Sequence, residues 1–239
     1  PDGVPRMLRL AHLYEVRLKD VPKAFHWYGN ALLGAPQRKD ILKHLERLAE
    51  QAGLWHDLAE AITTLAETVD DRSRRIELHM QAARLLEEQL AQHTRAVDCL
   101  RAVLTLAPEH IEALNSLRRI YKLLNQPEPL INISRQLARL SDSREEALSL
   151  WQEVSELTER TGDKSGMLEA SRMAVDIAPD DDQLLDKQLM MLRELERYDE
   201  LEGLLRQKAV QAKTDSSAGN YLHQLAVLKE TQRGDIDGA

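Results

Sequence analysis

Cysteine is almost absent from this sequence of 239 residues, and its scarcity limits the chemistry open to the chain. With Cys99 as the one cysteine, an internal disulfide and a thiolate metal cluster are both excluded, since each needs at least two thiols. Cys99 lies in the segment AVDCLRAVL, whose apolar spacing predicts a helix with this residue on its buried face. We therefore expect a small, unreactive core thiol.

Aromatic residues are also scarce, at 4% of the sequence, whereas Leu, Ala, Glu, Arg and Gln dominate. These abundant side chains lose little rotamer freedom in a helix, so the composition favours an all-α fold. No apolar run reaches 18 residues, and the opening segment PDGVPRMLRL lacks the apolar core of a signal peptide. We therefore expect no membrane insertion and a cytoplasmic location. Arginine outnumbers lysine by 22 to 10, which favours a bacterial source with a GC-rich genome.

Proline is sparse, and its positions divide the chain into segments. The eight prolines lie at positions 1, 5, 22, 36, 108, 127, 129 and 179, at the edges of apolar helical patterns and never in the middle of one. That distribution is typical of helix boundaries, because proline lacks the N–H that a helix interior needs. Three prolines follow Ala35, Ala107 and Ala178, so these pauses recur after 72 and then 71 residues. The sequence therefore contains a long internal repeat.

Each repeat contains four apolar helical segments connected by short polar loops. Loops this short force consecutive helices to pack antiparallel, so each repeat consists of two helical hairpins. Asp20 and Asp163 precede two of the segments and are predicted N-caps. We predict a single repeat domain over residues 1–239, with hairpins near 5–36, 38–70, 72–108, 109–142, 144–179 and 180–214 and a terminal helix at 217–232. The repeat register places the start of a further helix at the last residue, which indicates a piece of a longer array.

The first hairpin carries small and large apolar residues at fixed places, followed by a closing proline. These residues are Leu10, Ala11, Tyr14, Ala24, Tyr28, Ala31 and Pro36. With them in register, the sequence resembles the tetratricopeptide repeat family, whose unit is a helix–turn–helix of about 34 residues. The resemblance implies an all-α, right-handed superhelical solenoid of about six hairpins plus one terminal helix. Because the fifth and sixth hairpins lose several small-residue matches, half-a-TPR and other helical-hairpin arrays stay open as labels.

Motifs for catalysis or for cofactor binding are missing. The sequence contains no phosphate-binding glycine-rich loop, no HExxH, no Gly-x-Ser-x-Gly and no Cys-x-x-Cys. Its eight histidines are scattered, and no two have the i, i+4 spacing that places a pair of metal ligands on one helix face. We therefore expect no enzyme activity, no metal and no cofactor. Protein binding or scaffolding is the predicted function.

The family resemblance also implies a concave groove lined by the first helix of each hairpin. Carried onto this sequence, the inward polar positions form a basic strip across the middle three hairpins, and the predicted partner-binding residues are Lys43, Arg47, Arg84, Asn115, Arg119 and Lys122. The next first helix contributes Glu153, Glu156 and Glu159, so the groove is expected to change sign along its length. A protein or peptide with an acidic segment would fit the basic strip. The same charges are also typical of an ordinary solvated face.

Three other roles stay open from the sequence. One is a spacer or regulatory arm of a larger enzyme or signalling protein. Another is an RNA-binding helical repeat, which the net charge of −8 disfavours because phosphate binding needs an excess of cations, so we expect no nucleic acid. The third is self-association through exposed terminal helices, since the end of a helical array presents an uncapped apolar face.

Overall fold

The computed structural model describes residues 3–212 and 214–230, and helices account for most of them. Within these residues there are thirteen α-helices and no strand, so the predicted all-α fold is confirmed. The helices are α1 Gly3–His12, α2 Val21–Gly34, α3 Lys39–Ala52, α4 Trp55–Thr68, α5 Arg72–Glu88, α6 His93–Leu106, α7 Ile111–Leu123, α8 Pro127–Leu140, α9 Arg144–Thr161, α10 Lys164–Ile177, α11 Asp182–Glu194, α12 Tyr198–Gln211 and α13 Asp215–Leu228.

The helix bounds agree with the predicted segments to within a few residues, and the main difference lies in the first helix. It is α-helical only to His12 and continues as a π-helical segment, Leu13–Leu18. The segment ends at Lys19, whose φ of 54° lies in the left-handed region. Apolar spacing does not distinguish this wider turn from an α-helix over so few residues. The predicted terminal helix at 217–232 corresponds to α13, and residues 231 and 232 lie outside the described residues.

Three equivalent alanines end α2, α6 and α10 in nearly the same backbone conformation. Ala35, Ala107 and Ala178 have φ values of −147°, −137° and −125°, with ψ values of 68°, 88° and 71°. Each precedes a proline, and the proline ring disfavours the α-helical conformation for the residue before it. The Ala-Pro pauses of the sequence are therefore a repeat in the structure as well.

The two predicted N-caps are confirmed. The carboxylate of Asp20 accepts a hydrogen bond from the Lys23 backbone N–H at 3.1 Å, and that of Asp163 accepts one from the Gly166 N–H at 2.9 Å. Each bond satisfies one of the free N–H groups in the first turn of a helix. Consequently α2 and α10 begin where the sequence predicts.

Small residues and leucines form the core between neighbouring helices. Ala11, Ala24 and Ala31 in the first hairpin are fully buried, as are Leu45 on α3 and many other leucines. Cys99 is also buried, on α6, and this burial raises the pKa of its thiol. Its burial confirms the prediction of a core thiol.

The chain divides into two compact units, Pro1–Gln126 and Pro127–Ala239. Unit 1 contains α1 to α7 and unit 2 contains α8 to α13, and within each unit the helices adjacent in sequence pack together. Unit 1 has 18 Lys and Arg against 17 Asp and Glu, a net charge of +1, whereas unit 2 has 14 against 23, a net charge of −9. None of the described helices combines the length and the apolar character that crossing a membrane requires. The single domain over residues 1–239 stays a prediction.

Candidate functional site

Polar contacts join the first helices of the hairpins in unit 1. They link the π-helical segment to α3, α3 to α5, and α5 to α7. The contacting pairs are Glu15 with Arg47, Lys39 with Glu77, Glu46 with Gln81, Arg84 with Glu112, and Glu87 with Arg119. We call the surface formed by these ten residues, together with Lys43, Asn115 and Lys122, the first-helix face.

The six predicted partner-binding residues lie on three helices of unit 1. Lys43 and Arg47 are on α3, Arg84 is on α5, and Asn115, Arg119 and Lys122 are on α7. Each of the three arginines contacts a glutamate on a neighbouring first helix. The structure therefore intersperses the predicted basic strip with carboxylates, and the face is closer to neutral than its cations alone indicate.

Arg47 is the least exposed of the three arginines. Its partner Glu15 also accepts a hydrogen bond from the Tyr28 hydroxyl at 3.0 Å, and the ring of His44 stacks on Tyr28 with the centroids 5.0 Å apart. Burial raises the pKa of Glu15, but the hydrogen bonds from Arg47 and Tyr28 outweigh it and hold this pKa below its ordinary value. Burial and the bond to Glu15 raise the pKa of Tyr28 to about 12. Arg47 is thus engaged in a network within the fold.

Arg84 and Arg119 form reciprocal ion pairs between α5 and α7. Arg84 pairs with Glu112, and Arg119 Nη2 lies 2.8 Å from Glu87 Oε2. The two arginine side chains are 61% and 63% exposed. Both members of the Arg84–Glu112 pair are exposed, so this pair contributes only about 0–1 kcal/mol, and a carboxylate from a partner competes with Glu112 at small cost. Glu87, the partner of Arg119, is only 15% exposed.

Three predicted residues of the first-helix face are exposed and are not arginines. Lys43 lies on α3, and Asn115 and Lys122 lie on α7. Within the described residues, the side chains of Lys43 and Asn115 make no hydrogen bond or ion pair. Their polar groups therefore stay available on α3 and α7, the two helices that form side-chain ion pairs with α5.

The glutamates predicted to continue the groove lie on α9, in unit 2. Glu153 accepts a hydrogen bond from Ser134 Oγ on α8 at 3.1 Å, while Glu156 and Glu159 are exposed. The first of the three is thus engaged within unit 2. The change of sign along the groove stays a prediction.

Sequence reasoning misses the carboxylates of the first-helix face, because it considers each helix alone. Glu15 and Arg47 are 32 residues apart, as are Glu87 and Arg119. That spacing is close to the repeat length of about 34 residues, which brings equivalent positions of consecutive hairpins side by side. A search for opposite charges at the repeat spacing would have found both pairs.

The first-helix face offers binding chemistry through ion pairs and hydrogen bonds. In the parts of the chain that the structure describes, no three His, Cys, Asp or Glu side chains lie together as metal ligands do. Its functional groups are arginine, lysine, glutamate and amide side chains on packed helices. Such groups can form ion pairs and hydrogen bonds with a surface of complementary charge.

Comparisons with known proteins find tetratricopeptide repeat proteins. The family model for the tetratricopeptide repeat matches residues 111–226, just under half of the chain. A solved tetratricopeptide repeat protein from Parabacteroides merdae is 13% identical, and the match covers 99% of this chain and 90% of that one with a TM-score of 0.41. A thermophilic TPR protein from Thermus thermophilus is 22% identical over 79% of this chain and 98% of that one, with a TM-score of 0.32. YrrB, a TPR protein with an unusual peptide-binding site, is 14% identical over 77% and 91%, with a TM-score of 0.40. No curated protein matches the sequence.

Proposed function

We propose that the chain is a non-catalytic binding or scaffolding module, because the tetratricopeptide repeat family model matches residues 111–226 and the fold of that family commonly mediates protein–protein interaction. The first-helix face of unit 1 is the surface that holds a segment of the partner protein. The observation that carries this proposal is the set of exposed cations on α3, α5 and α7, three helices that side-chain ion pairs connect to one another. A cytoplasmic location is part of the same proposal.

The partner segment is acidic. Lys43 and Asn115 offer polar groups that are not used within the fold, and the side chains of Arg84 and Arg119 are mostly exposed. A partner carboxylate gains a charged hydrogen bond from either guanidinium group, because Arg presents several N–H donors and one glutamate does not occupy them all.

The charges of the two units support the same choice of partner. Unit 1 has a net charge of +1 and unit 2 has a net charge of −9. The summed field of unit 2 repels an acidic segment, whereas the cations of unit 1 attract it. Long-range electrostatics therefore favours unit 1 as the half of the chain that an acidic segment approaches.

A binding measurement with a defined peptide tests this proposal. The probe is a fluorescein-labelled peptide of 12 residues built from Glu, Ala and Gly, compared with the same peptide in which Gln replaces every Glu. We expect the acidic peptide to bind in fluorescence anisotropy, with an affinity that falls as salt is raised. The triple variant Lys43→Gln, Arg84→Gln, Arg119→Gln should bind at least about tenfold more weakly, since each charged hydrogen bond is worth about 1.5 kcal/mol or more.

The matched control is Arg95→Gln. Arg95 on α6 pairs with Glu60 on α4 at 3.0 Å, so this change also breaks an exposed ion pair between helices of unit 1, but one outside the first-helix face. The control variant should bind the acidic peptide as the parent does. An equal loss of peptide affinity in the triple variant and the control, or no loss of affinity in the triple variant, would refute the assigned surface. A parent that binds neither peptide would favour the spacer or regulatory arm.

A further inference from the structure

Gly29 occupies the middle of α2, where glycine is destabilising relative to alanine. Close packing does not explain why glycine occupies this position, because a Cβ atom added at Gly29 would have no neighbour within 4 Å. Backbone conformation does not explain it either, since Gly29 is not among the glycines with positive φ. The missing side chain therefore leaves open space that the fold itself does not need.

That space is part of a cavity of about 360 Å³ between α2 and α4, the second helices of the first two hairpins. Apolar groups line it, among them Phe25 and Leu33 on α2 and Ala61 on α4. Leu33 is 43% exposed. We call this cavity the α2–α4 groove. Its small residues, Gly29 and Ala61, leave room for an apolar side chain from outside.

The polar groups around the α2–α4 groove differ between its two sides. On α2, the side chains of His26 and Asn30 hydrogen-bond to each other at 3.0 Å. On α4, Asp57 and Glu60 are both acidic, and Glu60 is paired with Arg95. The Asp57 carboxylate makes no hydrogen bond or ion pair within the described residues. One side of the groove thus carries an uncompensated negative charge next to apolar surface.

We propose that the α2–α4 groove binds a basic, amphipathic segment of a partner protein. An apolar side chain of that segment lies over Gly29 and Ala61, and a neighbouring Lys or Arg pairs with Asp57. An apolar anchor in a pocket beside a matched charge is the usual basis of a binding hot spot. This inference is independent of the first-helix face, because it uses different helices and the opposite charge on the partner.

Selection from a random peptide library tests the inference. The probe is a library of 12-residue peptides displayed on phage, selected on the full chain and counter-selected on the Gly29→Leu variant. We expect the retained peptides to share an apolar residue within one helical turn of Lys or Arg. One of them, made synthetically, should bind the parent and bind Gly29→Leu at least about tenfold more weakly, because the leucine fills the groove. Asp57→Asn should weaken binding by about tenfold as well, since it removes a charged hydrogen bond.

Gly203→Leu is the matched control for the glycine substitution. Gly203 lies in the middle of α12 and also has nothing within 4 Å of an added Cβ, but it is in unit 2. It should leave peptide binding unchanged. Should Gly29→Leu disturb the fold in circular dichroism, Gly29→Ala serves in its place, because alanine favours the helix and still narrows the groove. Three outcomes would each overturn the inference. The selection yields no peptides that prefer the parent to Gly29→Leu, the retained peptides lack a basic residue, or the Asp57→Asn variant binds as the parent does.

Discussion

Gly166, near the start of α10, is the position where adding one methyl group should do the most damage to unit 2. A Cβ atom there would contact Asp163 Oδ2 and would lie 2.6 Å from Arg135 Nη2 and 2.8 Å from Thr158 Cγ2. Two of these neighbours are ends of side chains that can shift. Thr158 is fully buried, and its hydroxyl donates a hydrogen bond to the Val154 carbonyl at 2.8 Å, so it has little room to move.

The expected loss of stability in Gly166→Ala is the sum of three contributions. Moving Asp163 removes the N-cap of α10, which costs about 1 kcal/mol. Crowding against Thr158 costs about 1–3 kcal/mol, as overpacking of a core usually does. Replacing glycine by alanine in a helix offsets about 0.5–1 kcal/mol of this. We expect Gly166→Ala to lower the free energy of unfolding by about 2 kcal/mol.

Urea denaturation monitored by circular dichroism measures the change in the free energy of unfolding, with Gly203→Ala as the control. An added Cβ at Gly203 has no neighbour within 4 Å, so this variant should gain about 0.5–1 kcal/mol from helix propensity alone. Because the two units need not unfold together, hydrogen exchange of the α9 and α10 amides locates the loss. If Gly166→Ala is as stable as Gly203→Ala, the reasoning from close contacts is wrong.

Two further predictions concern charges in unit 1. Burial, with a smaller effect of Arg75, lowers the pKa of His79 on α5, although Glu67 acts in the opposite direction. On acidification the His79 imidazole therefore takes up a proton in the unfolded chain before it does so in the folded chain, and the free energy of unfolding should fall as the pH drops below about 6.5. In urea denaturation, the His79→Gln variant should lose less stability than the parent between pH 7.5 and 5.5. For the ion pair between α5 and α7, Arg84→Glu alone should destabilise and the swap with Glu112→Arg should restore stability, with a coupling energy of about 0.5 kcal/mol in a double-mutant cycle. Strictly additive effects would mean that this pair contributes nothing.

The helices could be predicted from the sequence because their ends carry strong local signals. The Ala-Pro pauses and the caps Asp20 and Asp163 act within a few residues of the chain, so no knowledge of tertiary structure is needed. Local signals do not predict the π-helical segment Leu13–Leu18, since its apolar spacing is compatible with an α-helix. Local signals therefore define where helices begin and end better than how each turn is wound.

The candidate sites depend on contacts between helices, which local patterns do not describe. The sequence places Arg84 and Arg119 on exposed helical positions, but their pairing with Glu112 and Glu87 depends on how α5 and α7 are aligned. Likewise, Gly29 looks like an ordinary weak point in a helix until the empty space beside it is known. Both features can be recognised only when the alignment of neighbouring hairpins is known.

The uneven charge of the two units has a consequence for how copies of the chain behave in solution. Molecules with a net charge near zero approach one another easily, whereas a large charge of one sign keeps them dispersed. With +1 in unit 1 and −9 in unit 2, the mutual repulsion between copies at neutral pH comes almost wholly from the second half of the chain. Unit 1, which carries both proposed binding surfaces, therefore depends on unit 2 for its colloidal stability. Substitutions that remove acidic residues from unit 2 would make the whole chain aggregate more readily without altering either surface.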